Sequence, residues 1–171
     1  TKAPAELSVE AFKSALAAGR GAPERDLFWF REGADGPTGA KPPNGWAASF
    51  GGSAWERVDD GQWYLHLFDV SQPDWNWDHA EVVEEFDAIL RFWFDRGADG
   101  FRIDVVHCIG RDAGYPDDEP PWSEIPHCAS NEHPSTHEHI RALRRLADSY
   151  EGDRVLIGET ALPGTQWVAP Y

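Results

Sequence analysis

Two short apolar segments, each reached from a predicted amphipathic helix by a short turn, place the strongest constraint on the fold of this chain. Apolar residues at helical spacing predict helices over residues 79–96 and 135–150, and strands are predicted over 100–107 and 155–158. Short turns between a helix and the next strand are typical of α/β units, in which successive strands lie parallel. The sequence therefore predicts an α/β fold with buried parallel strands.

The first half of the chain is rich in glycine and proline, yet it also carries many aromatic residues. Residues 7–18 predict an amphipathic helix that ends at Gly19, and a strand is predicted over 63–70. The aromatic residues between these elements are Phe28, Trp29, Phe30, Trp46, Phe50 and Trp55. Because disordered linkers are poor in aromatic residues, we expect residues 21–61 to pack on themselves as an irregular excursion that holds a binding function.

The net charge and the tryptophan content narrow the classes of partner. A formal net charge of −15 opposes binding to nucleic acid, whose phosphates require cationic groups. Nine tryptophans suit a neutral sugar, because the flat indole matches the apolar face of a sugar ring, although core packing accounts for tryptophan as well. The sequence has no apolar run of membrane-spanning length and no visible apolar leader, so we expect no membrane partner and a cytoplasmic location.

The strand predicted over 100–107 carries the first pair of chemically active side chains. Arg102 and Asp104 are two residues apart, so a regular strand points both toward the same face. They lie near the C-terminal end of the strand, where barrels built from βα units hold their active sites. Arg102 would keep Asp104 ionised, as a nucleophile requires. The alternative is a buried ion pair that only fixes packing.

A second carboxylate, Glu159, follows the strand predicted over 155–158. A glutamate at that position could instead cap the following helix. Two carboxylates at the ends of neighbouring parallel strands match the needs of glycoside hydrolysis, where one attacks the anomeric carbon and the other protonates the leaving oxygen. In retaining enzymes the two carboxyl groups lie about 5–5.5 Å apart. The pattern therefore favours Asp104 and Glu159 as a catalytic pair.

Histidines and a cysteine cluster before the second α/β helix, with acidic residues upstream. They are His127, Cys128, His133, His137 and His139, preceded by Asp112, Asp117, Asp118 and Glu119. Prolines interrupt the segment, and no CxxC or HExxH spacing occurs, so we predict no metal site and no cofactor and interpret the histidines as solvated loop residues. Cys108 and Cys128 form no disulfide framework, and a single bridge between them stays open.

Short motifs follow one another in the order found in one enzyme family. The segment 100–104, Gly-Phe-Arg-Ile-Asp, resembles the fourth-strand motif of the α-amylase superfamily, and 157–159, Ile-Gly-Glu, resembles its fifth-strand motif. The segment 72–77, Gln-Pro-Asp-Trp-Asn-Trp, resembles a motif near the end of the family's domain B, which more usually has leucine at its fourth position. A glutamine at the start of this segment resembles the form of the motif in the α-glucosidase and oligo-1,6-glucosidase branch of glycoside hydrolase family 13. Segments 50–55 and 63–66 resemble domain B of the same branch.

The resemblance implies a fold for each part of the chain. Residues 79–171 resemble part of a (β/α)8 TIM barrel, about strands 4 and 5, and residues 21–78 resemble an irregular domain B, after an N-terminal segment, 1–20, of unassigned origin. The family's third carboxylate and its third-strand motif do not occur in this sequence, and a whole barrel needs about 250 residues. We therefore expect a fragment of the enzyme with open strand edges.

The resemblance also implies an activity. It makes Asp104 the nucleophile, Glu159 the acid/base and Arg102 a substrate-binding residue, for retaining hydrolysis of α-glucosidic bonds in short gluco-oligosaccharides through a covalent glucosyl-enzyme intermediate. In the family, valine directly after the nucleophile, as at Val105, often accompanies α-1,6 activity, but the α-1,4 linkage stays open. Transglycosylation and isomerisation stay open too. The alternatives are a catalytically incompetent truncated relative and a carbohydrate-binding protein.

Overall fold

The structure is a computed structural model that divides into two compact units, Thr1–Val82 and Val83–Tyr171. It describes residues 4–37, 39–117, 129–130, 132–162 and 164–171. Within these ranges no helix is both long and apolar enough to cross a membrane. The division into segments 1–20, 21–78 and 79–171 that the sequence predicts stays a prediction.

The first unit contains helices and an antiparallel sheet. Its described elements are α1 (Pro4–Ala18), α2 (Pro23–Asp26), β1 (Phe30–Arg31), β2 (Trp55–Arg57) and β3 (Trp63–Leu65). The central strand is β3, which pairs with β1 on one side and with β2 on the other. The helix predicted over 7–18 is confirmed, and it begins earlier, at Pro4.

Aromatic side chains form the core of this unit. The Phe12 ring of α1 lies 5.2 Å from the Phe28 ring and 4.8 Å from the Tyr64 ring, between centroids. The Trp46 and Trp55 rings stack at 6.0 Å, and both residues are almost completely buried. The aromatic excursion therefore packs on itself, as expected.

The strand predicted over 63–70 is wrong in length, because β3 ends at Leu65. The Leu67 N–H donates to Asp74 Oδ2 at 2.6 Å, and the Asp74 N–H donates to the Leu65 carbonyl at 2.9 Å. A side-chain acceptor thus takes the place of a strand neighbour and turns the chain. Strand propensity does not reveal such an acceptor, since it reports only how residues fit a pleated surface.

The second unit pairs two parallel strands among its described residues. Its elements are α3 (Ala80–Phe94, in which the division between units falls), β4 (Gly100–Ile103), a 3-10 turn (Val106–Cys108), α4 (Ser135–Asp148), β5 (Val155–Gly158) and α5 (Thr165–Val168). The two strands run parallel in register from the pair Gly100–Val155 to the pair Ile103–Gly158. The predicted α/β units are confirmed, although the helices predicted over 79–96 and 135–150 are each slightly shorter.

The prediction that these strands are buried is wrong for one face of the sheet. Val155 and Ile157 are 49% and 61% exposed, and they share a face because they are two residues apart. On the opposite face, Ile103 and Leu156 line a cavity together with Ile140 of α4. A parallel sheet is normally covered on both faces. In the described part of this unit, helix covers only one of them.

The strand predicted over 100–107 is also too long, because β4 ends at Ile103. Val105 has φ 37° and ψ 48°, in the left-handed region, and the 3-10 turn follows it. A left-handed residue ends the strand's alternation of side chains. His107 therefore does not lie on the far face of a continuing strand but turns into the unit, where it is buried.

Candidate active site

The structure brings the three candidate side chains together at one edge of the β4–β5 sheet. Because the strands are parallel and in register, Asp104 follows the end of β4 where Glu159 follows the end of β5. Arg102 Nη1 lies 2.6 Å from Asp104 Oδ1, and Arg102 Nη2 lies 2.7 Å from Glu159 Oε2. One guanidinium therefore binds both carboxylates.

These three side chains are open to solvent. The exposed fractions are 57% for Arg102, 71% for Asp104 and 44% for Glu159. Within this chain the pair is exposed, and exposed ion pairs contribute little to stability, so a buried pair that only fixes packing does not describe it. The hydrogen bond to Asp104 and the charge of Glu159 raise the pKa of Arg102 above its ordinary value. The sheet edge thus carries a permanent cation between two carboxylates.

The alternative that Glu159 caps the following helix does not fit either. The next helix, α5, begins at Thr165, and its N-cap residue is Gly164. The Glu159 carboxylate instead pairs with Arg102 and accepts a hydrogen bond from the Val105 N–H at 3.3 Å. The roles of nucleophile, acid/base and substrate-binding residue stay predictions. The two carboxylates share one guanidinium, so a single ligand at this edge can contact both.

Val105 and Val106 supply main-chain groups that the sequence did not reveal. The Val105 N–H donates to the Glu159 carboxylate, and the Val106 N–H donates to the Glu159 carbonyl at 2.9 Å. Both bonds depend on the left-handed backbone at Val105. Valine is one of the residues least suited to that region, because its branched side chain collides with the backbone. No sequence signal points to this contact.

The buried polar residues His107 and Glu132 contact each other next to the site. The His107 carbonyl accepts a hydrogen bond from the Glu132 N–H at 2.7 Å, and the Tyr171 hydroxyl donates to the Glu132 carboxylate. Burial lowers the pKa of His107, although a hydrogen bond to the Glu159 backbone and the charges of Glu132 and Glu159 oppose that shift. Within the described residues, His107 Nδ1 has no hydrogen-bond partner. These groups hold the turn after β4 and are not exposed for substrate.

The histidine-rich segment shows no metal centre in the part of the chain that is described. No group of three or more His, Cys, Asp or Glu residues is arranged there to hold an ion. Asp118, Glu119, His127 and Cys128 lie outside the described residues. The interpretation of loop histidines is wrong for His137 and His139, which lie in α4. The His137 ring packs 4.6 Å from the Tyr171 ring, between centroids.

The motif at residues 72–77 is structural within the first unit. The Trp75 ring stacks on the Phe28 ring at 4.4 Å, and the Trp75 carbonyl accepts a hydrogen bond from Trp29 Nε1 at 2.9 Å. The Asn76 N–H donates to the Leu27 carbonyl at 2.9 Å. Through these contacts, residues 72–77 pack against the segment that leads into β1.

Comparison with known proteins gives one consistent family. Residues 6–171 match the model of the α-amylase catalytic domain. The oligo-1,6-glucosidase of Parageobacillus thermoglucosidasius is 38% identical over 142 residues, which are 81% of this chain and 24% of that protein. The trehalose-6-phosphate hydrolase of Bacillus subtilis (strain 168) is 44% identical over 98 residues, which are 57% of this chain and 17% of that protein. The chain thus spans at most about a quarter of these relatives.

Solved structures show the same relation in three dimensions. A mutant of MutB in complex with its substrate sucrose matches with a TM-score of 0.82 at 34% identity, over 95% of this chain and 28% of that one. MutB is the trehalulose synthase of Pseudomonas mesoacidophila MX-45. Sequence and structure therefore agree along almost the whole chain, and the chain belongs to the α-amylase family, matching part of that family's catalytic domain.

Proposed function

We propose that this chain carries the reacting carboxylates of an α-glucosidase-type glycoside hydrolase that acts on short gluco-oligosaccharides with retention of configuration. The observation that carries the proposal is the Arg102 guanidinium, which binds Asp104 and Glu159 at one open sheet edge. The family relation to proteins named oligo-1,6-glucosidase and α-glucosidase supports the same substrate class.

The proposed reaction assigns one step to each carboxylate. Asp104 attacks the anomeric carbon and forms the bond to the glucosyl unit, while the leaving oxygen takes the proton of Glu159 as the glycosidic bond breaks. In the second step Glu159 takes a proton from water, the water oxygen attacks the anomeric carbon, and Asp104 leaves as a carboxylate. Two inversions at that carbon give net retention.

Arg102 has two functions in this proposal. Its pairing with Asp104, at 2.6 Å, orients the nucleophile. Its pairing with Glu159, at 2.7 Å, occupies an oxygen of the group that protonates the leaving oxygen. We therefore infer that bound substrate separates Glu159 from Arg102, so that the Glu159 carboxyl group faces the leaving oxygen.

An exposed aromatic surface in the first unit supports a carbohydrate ligand. Phe50 is 73% exposed, and its ring lies 6.0 Å from the Phe68 ring, between centroids. Gly51 and Gly52 follow it with positive φ angles of 94° and 83°, so Phe50 stands on a tight glycine turn. A solvent-facing phenylalanine has no core to fill, and its flat face suits the apolar face of a sugar ring.

The bare face of the β4–β5 sheet supports the finer fold assignment. We propose that the strands are the fourth and fifth of a (β/α)8 barrel and that the first unit corresponds to domain B. In such a barrel, Val155 and Ile157 would point into the packed interior, where branched aliphatic residues dominate. The remaining strands, and the third carboxylate of the family, would then come from residues outside this chain.

The decisive experiment uses the full-length enzyme with two isosteric substitutions. Asp104→Asn should abolish hydrolysis of both 4-nitrophenyl α-glucoside and maltose, because the amide cannot attack the anomeric carbon. Glu159→Gln should spare the nitrophenyl substrate relative to maltose, because a good leaving group needs little protonation. Steady-state kcat/KM for the two substrates measures both effects.

A matched control lies at the other end of β4. Asp99, whose side chain is 94% exposed, precedes the strand, and Asp99→Asn should leave both substrates unaffected. Turnover by Asp104→Asn near the parent rate would refute the role of Asp104. Equal losses for both substrates in Glu159→Gln would refute the role of Glu159. Sugar binding without turnover in the parent enzyme would favour the carbohydrate-binding alternative. A comparison of isomaltose with maltose decides the linkage.

A further inference from the structure

The parallel hydrogen-bond ladder slips by one residue where β4 ends. The Glu159 N–H donates to the Ile103 carbonyl at 2.9 Å. A residue in a regular parallel ladder bonds to the two residues that flank its partner, so the Glu159 carbonyl should accept from the Val105 N–H. The Val106 N–H takes that place instead, at 2.9 Å. Val105 is therefore an extra residue in the ladder, as in a β-bulge.

The slip changes what the Val105 N–H can reach. It donates to Glu159 Oε2 at 3.3 Å, while the next N–H along the chain bonds the Glu159 carbonyl. In an extended strand, successive N–H groups point toward opposite edges and cannot both reach one residue of the neighbouring strand. The left-handed backbone of Val105, with φ 37°, turns the two N–H groups to the same side. Consecutive N–H groups turned in this way form an anion-binding concavity.

Packing on both sides holds Val105 in this unfavourable conformation. A Cβ atom added at Gly158 would lie 2.8 Å from Val106 Cγ1, so the glycine is what lets Val106 approach β5. After the slip, the Cys108 N–H donates to the Val105 carbonyl at 2.9 Å and closes the 3-10 turn. Left-handed backbone at a branched residue persists only where its surroundings impose it, and such positions concentrate at functional sites.

We propose that Val105 is a positioning residue that acts through its main chain. Its left-handed conformation slips the ladder and delivers its N–H to the Glu159 carboxylate, which fixes that carboxylate beside Asp104. This inference rests on the proposed function, because Glu159 is taken as the group that protonates the leaving oxygen. The N–H does not touch substrate. The N–H fixes the position of the Glu159 carboxylate before substrate binds.

The test replaces only the N–H, in the full-length enzyme. Substitution of Val105 by α-hydroxyisovaleric acid keeps the side chain but exchanges the backbone N–H for oxygen. The exchange removes the hydrogen bond to the Glu159 carboxylate. The value of kcat/KM for maltose should therefore fall about tenfold more than kcat/KM for 4-nitrophenyl α-glucoside. Val105→Gly retains the N–H and accepts positive φ, so it should lower both values by the same factor. If the α-hydroxyisovaleric acid variant, which has an ester bond at this position, keeps the parent ratio of the two kcat/KM values, the inference is overturned.

A second measurement separates this inference from the proposed function. In protein labelled with 15N-valine, the Val105 amide proton should shift as Glu159 ionises, and Glu159→Gln should remove that shift. If the parent enzyme hydrolyses neither glucoside, the proposed function fails, and the amide titration still decides whether the N–H binds the carboxylate. An amide that does not respond to pH, or that responds equally in Glu159→Gln, overturns the positioning role.

Discussion

Trp46, Trp55 and Leu65 are almost completely inaccessible in the first unit, whereas in the second unit Val155 and Ile157 of β5 stand about half exposed. Both regions contain short strands, but the first forms an antiparallel sheet that its own helix and aromatic excursion cover. The second forms a parallel pair with helix on one side. The difference follows from topology, because parallel strands need cover on both faces and the described helices of the second unit cover only one.

The two units also differ in the exposure of their paired charged groups. In the first unit, charged groups near the core are paired and enclosed: Arg25 is buried and binds Asp60 at 2.6 Å and Gln62 at 3.0 Å. In the second unit, the arginine that binds two carboxylates is open to solvent. The Arg25 pair is thus enclosed by its own unit, whereas the Arg102 pairs are exposed in this chain.

The largest expected effect tests whether the first unit has a core of its own. Trp55 is buried, and its indole N–H donates to Asn44 Oδ1 at 2.7 Å. Trp55→Ala should lower the free energy of unfolding by about 3–5 kcal/mol, since it leaves a cavity and removes a hydrogen bond. Phe50→Ala, at an exposed ring, is the control and should change it by less than about 0.5 kcal/mol. Urea denaturation measures both, and equal effects would contradict the comparison.

The next effect appears at alkaline pH and concerns Tyr64 in the first unit. Burial raises the pKa of Tyr64 from 10.0 to about 12, and its hydroxyl donates to the Val70 carbonyl at 2.7 Å. The folded state therefore keeps a proton that the unfolded state loses. Stability should fall by about 2–3 kcal/mol as the pH rises from 10 through 12. Tyr64→Phe should remove this loss.

The second unit adds its own alkaline loss, which must be separated from that of Tyr64. Burial, with the hydrogen bond to Glu132, raises the pKa of Tyr171. Tyr171→Phe therefore measures the contribution of the second unit beside Tyr64→Phe. If both substitutions leave the alkaline loss intact, neither hydroxyl is buried in solution.

A smaller effect at acidic pH concerns His107 in the second unit. Burial lowers the pKa of His107 below 6.5, so the unfolded state binds a proton more readily than the folded state. Stability should therefore fall as the pH drops below 6.5, and it should be fully restored above that value. Glu132 and Glu159 face this ring and reduce the effect. His107→Gln should flatten the acidic limb of urea-denaturation midpoints measured from pH 8 to pH 5, and an unchanged limb would show that other groups cause it.

The smallest expected change in stability concerns the exposed face of β5. In residues 1–171 alone, Ile157→Thr removes an exposed aliphatic side chain but keeps strand propensity, so the free energy of unfolding should change by less than about 0.5 kcal/mol. Self-association should fall, because exposed apolar strands promote pairing with other chains. Sedimentation velocity of residues 1–171 measures this. A loss of stability comparable to that of Trp55→Ala would show that Ile157 is buried.

The three long helices α1, α3 and α4, the parallel strand pair and the three candidate side chains could be predicted from the sequence, whereas the short helices α2 and α5 were not. Helical periodicity and short turns are local signals, and the spacing of Arg102 and Asp104 follows from strand alternation. The ends of β3 and β4 could not be predicted. Asp74 ends β3 by accepting a main-chain hydrogen bond, and Val105 ends β4 in a conformation that its residue type disfavours. Both depend on neighbours brought close by the fold.

By itself, the sequence determined the α/β character of the second unit, the family, and the order in which Asp104 and Glu159 follow their strands. These features depend on residue types at fixed short spacings. Only the tertiary structure decided that one guanidinium binds both carboxylates, that the sheet face beside them is bare, and that the Val105 N–H reaches Glu159. The physical reason is distance along the chain. Glu159 lies more than fifty residues from Val105, and a contact of that span is set by strand register and packing, which no local pattern encodes.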